Sequence, residues 1–144
     1  MTKNTPEGHN EAALTAPGYR PGLLKHIVLF RYTPSTTPAQ RQDIEKRFHA
    51  LAESTRNGER YIISMESGRQ NSHEGHHHGL EHGFIVTFKS EGDRNYYVGT
   101  PLIRNNQFYD AAHDEFKKFL APHLDQKIPG VLVFDFTVSV LVSR

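Results

Sequence analysis

Four side chains carry chemistry that works near neutral pH and sit where a fold could use them: His26, His82, Tyr97 and His113. His26 and His82 each stand at the head of a short apolar run, Ile27-Val28-Leu29-Phe30 and Gly83-Phe84-Ile85-Val86. An imidazole in that position can trade a proton with a substrate enol or phenol. Tyr97 offers a hydroxyl that can orient a substrate oxygen. His113, flanked by Asp110 and Asp114, is a further base candidate. Each has a plainer reading. A histidine at a sheet end often just bonds backbone, a tyrosine ring often just packs, and a helix histidine is often a surface residue.

A second concentration is His73-Glu74-Gly75-His76-His77-His78, followed by Glu81 and His82. These are ligand types for zinc, nickel or copper. Gly75 and Gly79 make the segment pliable, and no helix or strand spacing aims three imidazoles at one point. The expectation is incidental metal affinity, with no built metal site and no cofactor. Because the loop leads directly into His82, it can also serve as a lid.

The composition excludes several classes. A net charge of +1 with neutral histidines lacks the basic face that phosphate backbones or anionic membranes need. No cysteine is present, which removes disulfides, thiol catalysis and thiolate metal sites. No apolar run approaches membrane-spanning length, and no apolar stretch follows Lys3 to suggest a secretory signal. Glycine-rich phosphate loops, a nucleophile elbow and paired catalytic carboxylates are missing as well. A cytoplasmic protein of one domain is expected.

Residues 1–22, with Pro6, Gly8, Pro17, Gly18, Pro21 and Gly22, read as a disordered arm, and 23–144 as the domain. Lys25–Tyr32 is a β-branched and aromatic run of strand type. Thr37 and Pro38 fit the N-cap and first position of a helix over 39–53, with Ile44, Phe48, Leu51 and Ala52 on one stripe. Asn57-Gly58 marks a turn. Tyr61–Gly68 reads as a second strand, 70–80 as the histidine-rich loop, and Glu81–Lys89 as a third strand. Ser90 to Gly99 reads as a short helix that Thr100-Pro101 ends. A longer helix is expected over 103–120, and a last strand over 131–142. The order β-α-β-β-α-β is the split motif of the ferredoxin-like α+β fold. Apolar residues fall on both faces of the strands, so the face without helices calls for a cover, most economically a second copy in a two-fold dimer.

On these residues the chain resembles the stress-responsive A/B barrel (Dabb) family of dimeric α/β barrels, over about 25–138. The carriers are His26-Ile27-Val28-Leu29-Phe30, His82 with Thr87-Phe88 and Ser90, Tyr97 four residues before Pro101, and Phe134-Asp135-Phe136. The family includes stress proteins and plant polyketide cyclases. The resemblance therefore implies a homodimeric barrel and a cavity for a small aromatic or polyketide-like ligand. In the cyclases a tyrosine and a histidine flanking the proline act as the acid–base pair. The tyrosine corresponds to Tyr97, whereas Ile103 stands where the histidine would be. His26 and His82 match two other pocket-side histidines, and His113 could supply the missing base if its helix covers the cavity mouth. Two functions fit: a small-molecule enzyme working by histidine- and tyrosine-assisted proton transfer, or a non-catalytic, stress-associated binding or scaffold protein. Metal binding through the histidine-rich loop is a third reading.

Overall fold

The computed structural model describes residues 10–127 and 129–144. Ten residues of alternating burial form β1, Pro21–Phe30. Leu24, His26, Val28 and Phe30 point to one face and are buried, while Lys25, Ile27 and Leu29 point to the other. The helix α2, Pro38–Ala50, starts as its sequence signals predict. The Thr37 side chain accepts from the Gln40 amide, and the Gln40 side chain accepts from the Thr37 amide. Its inward Ile44 and Phe48 seal the sheet, with Phe48 stacked on Phe84 at 4.1 Å. A hairpin of β2, Thr55–Arg56, and β3, Glu59–Arg60, turns on Asn57 and Gly58, both at positive φ.

The main sheet continues with β4, Ser64–Arg69, and β5, His82–Ser90. The helix α3, Glu91–Val98, is capped by the Ser90 hydroxyl on the Asp93 amide and stops at Gly99, whose φ of 67° suits glycine. The helix α4, Ala111–Leu120, and the strand β6, Val131–Thr137, complete the domain. The sheet is antiparallel in the order β4-β5-β1-β6, with the helices on one face. This is the expected ferredoxin-like α+β arrangement. The other face carries Ile27, Leu29, Ile85, Leu132, Phe134 and Phe136 with no helix over it among the described residues, and Phe134 is 60% exposed.

Four expectations need correction. The arm over 1–22 is ordered from residue 10: Glu11–Leu14 forms a short helix, α1, packed on α3, and the sheet begins at Pro21. Residues 1–9 lie outside the described residues. The second strand begins at Ser64 instead of Tyr61, because Tyr61 and Ile62 turn inward together as core residues and break the alternation. The helix expected over 103–120 begins at Ala111. Asp110 uses its carboxylate to accept from the Ala112 and His113 amides, which fixes the start there despite the apolar spacing that reaches back to Phe108. The last strand stops at Thr137, where its register on β1 ends at the Leu24–Thr137 pair; one further bond, from the Val138 amide to the Leu23 carbonyl at 2.8 Å, follows, and the ladder goes no further.

Candidate functional site

Two predicted site residues meet on the helical side of the sheet. His26 enters from β1 and is 4% exposed. Its Nδ1–H donates to Asp135 Oδ1 at 2.8 Å from the paired position on β6. Arg94 of α3 donates to the other oxygen of Asp135, also at 2.8 Å. Burial alone would raise the Asp135 carboxyl; the hydrogen bonds and charges of His26 and Arg94 outweigh it and hold the group below its ordinary value. An ionised carboxylate only accepts, so it fixes His26 as the Nδ1–H tautomer and leaves Nε2 with a lone pair. That is the way an aspartate orients a catalytic imidazole.

His113, on α4, stacks on Tyr97 with ring centroids 3.8 Å apart. Its Nδ1–H donates to the Tyr97 carbonyl at 2.6 Å. Burial pushes its pKa down to about 3, so it is neutral at physiological pH. Neither Nε2 is a sealed, unpartnered atom.

Both imidazoles line a cleft of about 510 Å³ between the sheet and α4. Val28, Phe30, Phe48, Phe116 and Leu120 belong to its apolar wall, and the exposed Thr100 and Pro101 form part of its rim. A smaller annex of about 250 Å³ shares His26, Val98 and Val133 and adds Asn95, Leu102 and Asp135. Lys117 also borders the cleft; burial lowers the pKa of its ammonium, and Nζ donates to the Val98 carbonyl at 2.7 Å. Apolar walls with a few fixed polar groups are the ordinary form of a small-molecule site. Such a site holds a ligand by burial and presents one oriented base to it.

The other two candidates sit differently. Tyr97 is 1% exposed and packs edge-on to His26 at 5.7 Å. Its hydroxyl is buried without a hydrogen-bond partner among the described residues, and burial raises its pKa well above the ordinary value. It does not line the cleft; its contacts support His26 and His113 instead. His82 is separate from His26, against the expected convergence. Antiparallel strands begin at opposite ends of a sheet, and the register pairs His26 with Val86 but His82 with Phe30. Four positions along a strand amount to roughly 13 Å. His82 lies in another network: Tyr32 donates to its Nδ1 at 2.7 Å, and its Nε2–H reaches Glu45 at 3.2 Å. Ser67 donates to the same Glu45 oxygen at 2.6 Å, and His49 bonds Ser67. Burial lowers the His82 pKa, consistent with a neutral link in this chain.

The histidines of the loop before β5 are exposed. Among the described residues no group of three or more histidine and carboxylate side chains is placed to hold a metal. The loop borders an open hollow of about 570 Å³ on the face without helices, floored by Ile27, Leu29 and Leu132.

Sequence reasoning missed Asp135 and Lys117 as parts of the site. Asp135 had a signal: it is a carboxylate alone in an apolar strand, between Phe134 and Phe136. Lys117 had none beyond its position one turn after His113.

Fold and cleft together define a small ferredoxin-like α+β protein with an apolar cleft that carries histidine. The model of the stress responsive A/B barrel domain matches residues 24–138, and the chain belongs to that family. Solved structures of similar fold include an Arabidopsis thaliana protein, 23% identical, with a TM-score of 0.65 over 83% of this chain and 99% of that one. The hydroxynitrile lyase of Passiflora edulis is 20% identical, with a TM-score of 0.65 over 85% of this chain and 99% of its own. A dimeric ferredoxin-like protein from Jannaschia sp. is 18% identical, with a TM-score of 0.62 over 81% of this chain and 100% of its own. At these identities the likeness is one of fold. No curated protein matches the chain. Among the described residues, no helix is long and apolar enough to cross a membrane.

Proposed function

We propose that the protein is a homodimer, joined through the open sheet faces, in which each cleft binds a small apolar or aromatic oxygenated molecule and His26 moves a proton on it. The observation that carries this reading is the cleft of about 510 Å³ with the Asp135-oriented imidazole of His26 in its wall. Nε2 takes a proton from a carbon or oxygen beside the ligand's carbonyl, and Asp135 stabilises the imidazolium that forms. His113, held neutral, accepts a hydrogen bond from a ligand hydroxyl and is too weak a base to keep the proton. Proton removal of this kind opens aldol-type cyclisations and isomerisations. The Passiflora edulis neighbour is a hydroxynitrile lyase, and splitting a hydroxynitrile also needs a base for a hydroxyl proton. The dimer is supported by the uncovered apolar sheet face and by the dimeric description of the Jannaschia neighbour.

The test uses phenylacetone in deuterium oxide. Its benzylic hydrogens are acidified by the adjacent carbonyl, and their exchange is followed by proton NMR. The native protein is expected to speed the exchange, and His26→Ala to lower that rate by about 10²-fold or more. Equal rates in the two proteins would remove His26 from the role.

A further inference from the structure

Residues 10–20 lie outside the region matched by the family model, yet their contacts converge on one place. The Glu11 side chain, in a residue only 7% exposed, accepts from the backbone amides of Arg104 at 3.0 Å and Asn105 at 2.9 Å. Asn95 of α3 donates to the Leu14 carbonyl at 2.9 Å. The carbonyls of Tyr19 and Arg20 accept from the Gly92 and Glu91 amides, each at 3.1 Å, and so satisfy donors in the first turn of α3. Gly92 lies so close that an added Cβ would stand 1.7 Å from the Ala16 carbonyl oxygen.

The two amides held by Glu11 end the segment 99–105. That segment supplies Thr100 and Pro101 to the cleft rim and Leu102 to the annex. Its Ile103 is fully buried and donates to the Gly99 carbonyl at 2.9 Å. A buried carboxylate accepting two amide bonds is a strong, charge-assisted clamp, and neither side of it is cheaply left unpaired.

We infer that residues 10–20 are a strap that sets the width of the cleft mouth, with Glu11 as the positioning residue that fixes the rim 99–105. The inference rests on the cleft being the ligand site, but its test needs no ligand. In the full-length protein, diethyl pyrocarbonate modifies accessible neutral imidazoles, and peptide mass spectrometry gives a rate for each histidine. His26 and His113, at 4% and 8% exposure, are expected to react slowly in the native chain. Glu11→Ala is expected to speed both by about tenfold, the gain from local opening after two charge-assisted bonds are lost. His82, 1% exposed in a separate network, serves as the internal control and stays slow. Glu11→Gln, which keeps one carbonyl oxygen, is expected to fall between native and alanine. Gly92→Ala, which wedges the strap from the α3 side, is expected to reproduce the alanine result. Cleft histidines as slow as native in both Glu11→Ala and Gly92→Ala would overturn the proposal. So would His82 accelerating in step with them, since that reports general loosening. Opening of His113 in a protein that leaves phenylacetone untouched would keep the strap and remove the proposed chemistry.

Discussion

At the scale of single residues, the two cleft imidazoles differ in the partners that hold them. His26 faces an ionised aspartate that fixes the orientation of its ring. His113 faces a carbonyl in an apolar stack, and its pKa falls from 6.5 to about 3. The folded chain therefore refuses a proton on His113 that the unfolded chain accepts below about pH 6.5. A depressed pKa gives stability that is present in full above the unfolded value and is lost as pH falls toward the folded one. Between pH 7 and pH 5 this residue is expected to account for about 2 kcal/mol of lost stability, at about 1.4 kcal/mol per pH unit below 6.5. Urea midpoints at the two pH values check this in the native chain and in His113→Phe. A variant with the same pH slope as the native chain would contradict the buried neutral imidazole. His82, lowered by burial, adds to the acid sensitivity in the same direction.

Elements in this chain were legible where their signals are local. The Thr37 cap with Pro38 at the first helical position, the β-branched and aromatic run of β1 and the Asn57-Gly58 turn are written within a few residues, and each appears as expected. Legibility failed where a distant partner decides. The Asp135–His26 bond spans 109 residues and the Glu11–Arg104 bond 93. Asp135 stands out as a lone carboxylate in an apolar strand, but nothing local pairs it with His26 or pairs Glu11 with Arg104, so the orientation of His26 and the strap are not legible although His26 and His113 can be picked out. Asp110 joins both kinds of information: it caps α4 and accepts from the Tyr61 hydroxyl at 2.5 Å. Asp110→Ala removes the cap and leaves the buried Tyr61 hydroxyl without a partner. The expected loss is about 2–4 kcal/mol, against about 1 kcal/mol for Thr37→Ala at the exposed cap of α2. Denaturant unfolding compares them, and equal losses would mean that the Tyr61 bond adds nothing.

For the whole molecule, the question is what covers the second sheet face. Leu132, Phe134 and Phe136 are 44%, 60% and 45% exposed, in a row next to Ile27 and Leu29. A contiguous apolar face of this kind marks an interface, and a self-complementary sheet closes most simply as a two-fold pair. Light scattering is expected to give twice the chain mass of 16.4 kDa for the native protein and a single mass for Phe134→Glu. A native monomer at micromolar concentration would contradict the proposed dimer.

The proposed chemistry is an aspartate-oriented histidine acting on a ligand in the cleft. Phenylacetone exchange compared across native protein, His26→Ala and Asp135→Asn tests it most directly. The fastest exchange is expected in the native protein, the slowest in His26→Ala, and a clear loss in Asp135→Asn, whose amide no longer balances the imidazolium. Exchange that is the same in all three would contradict it.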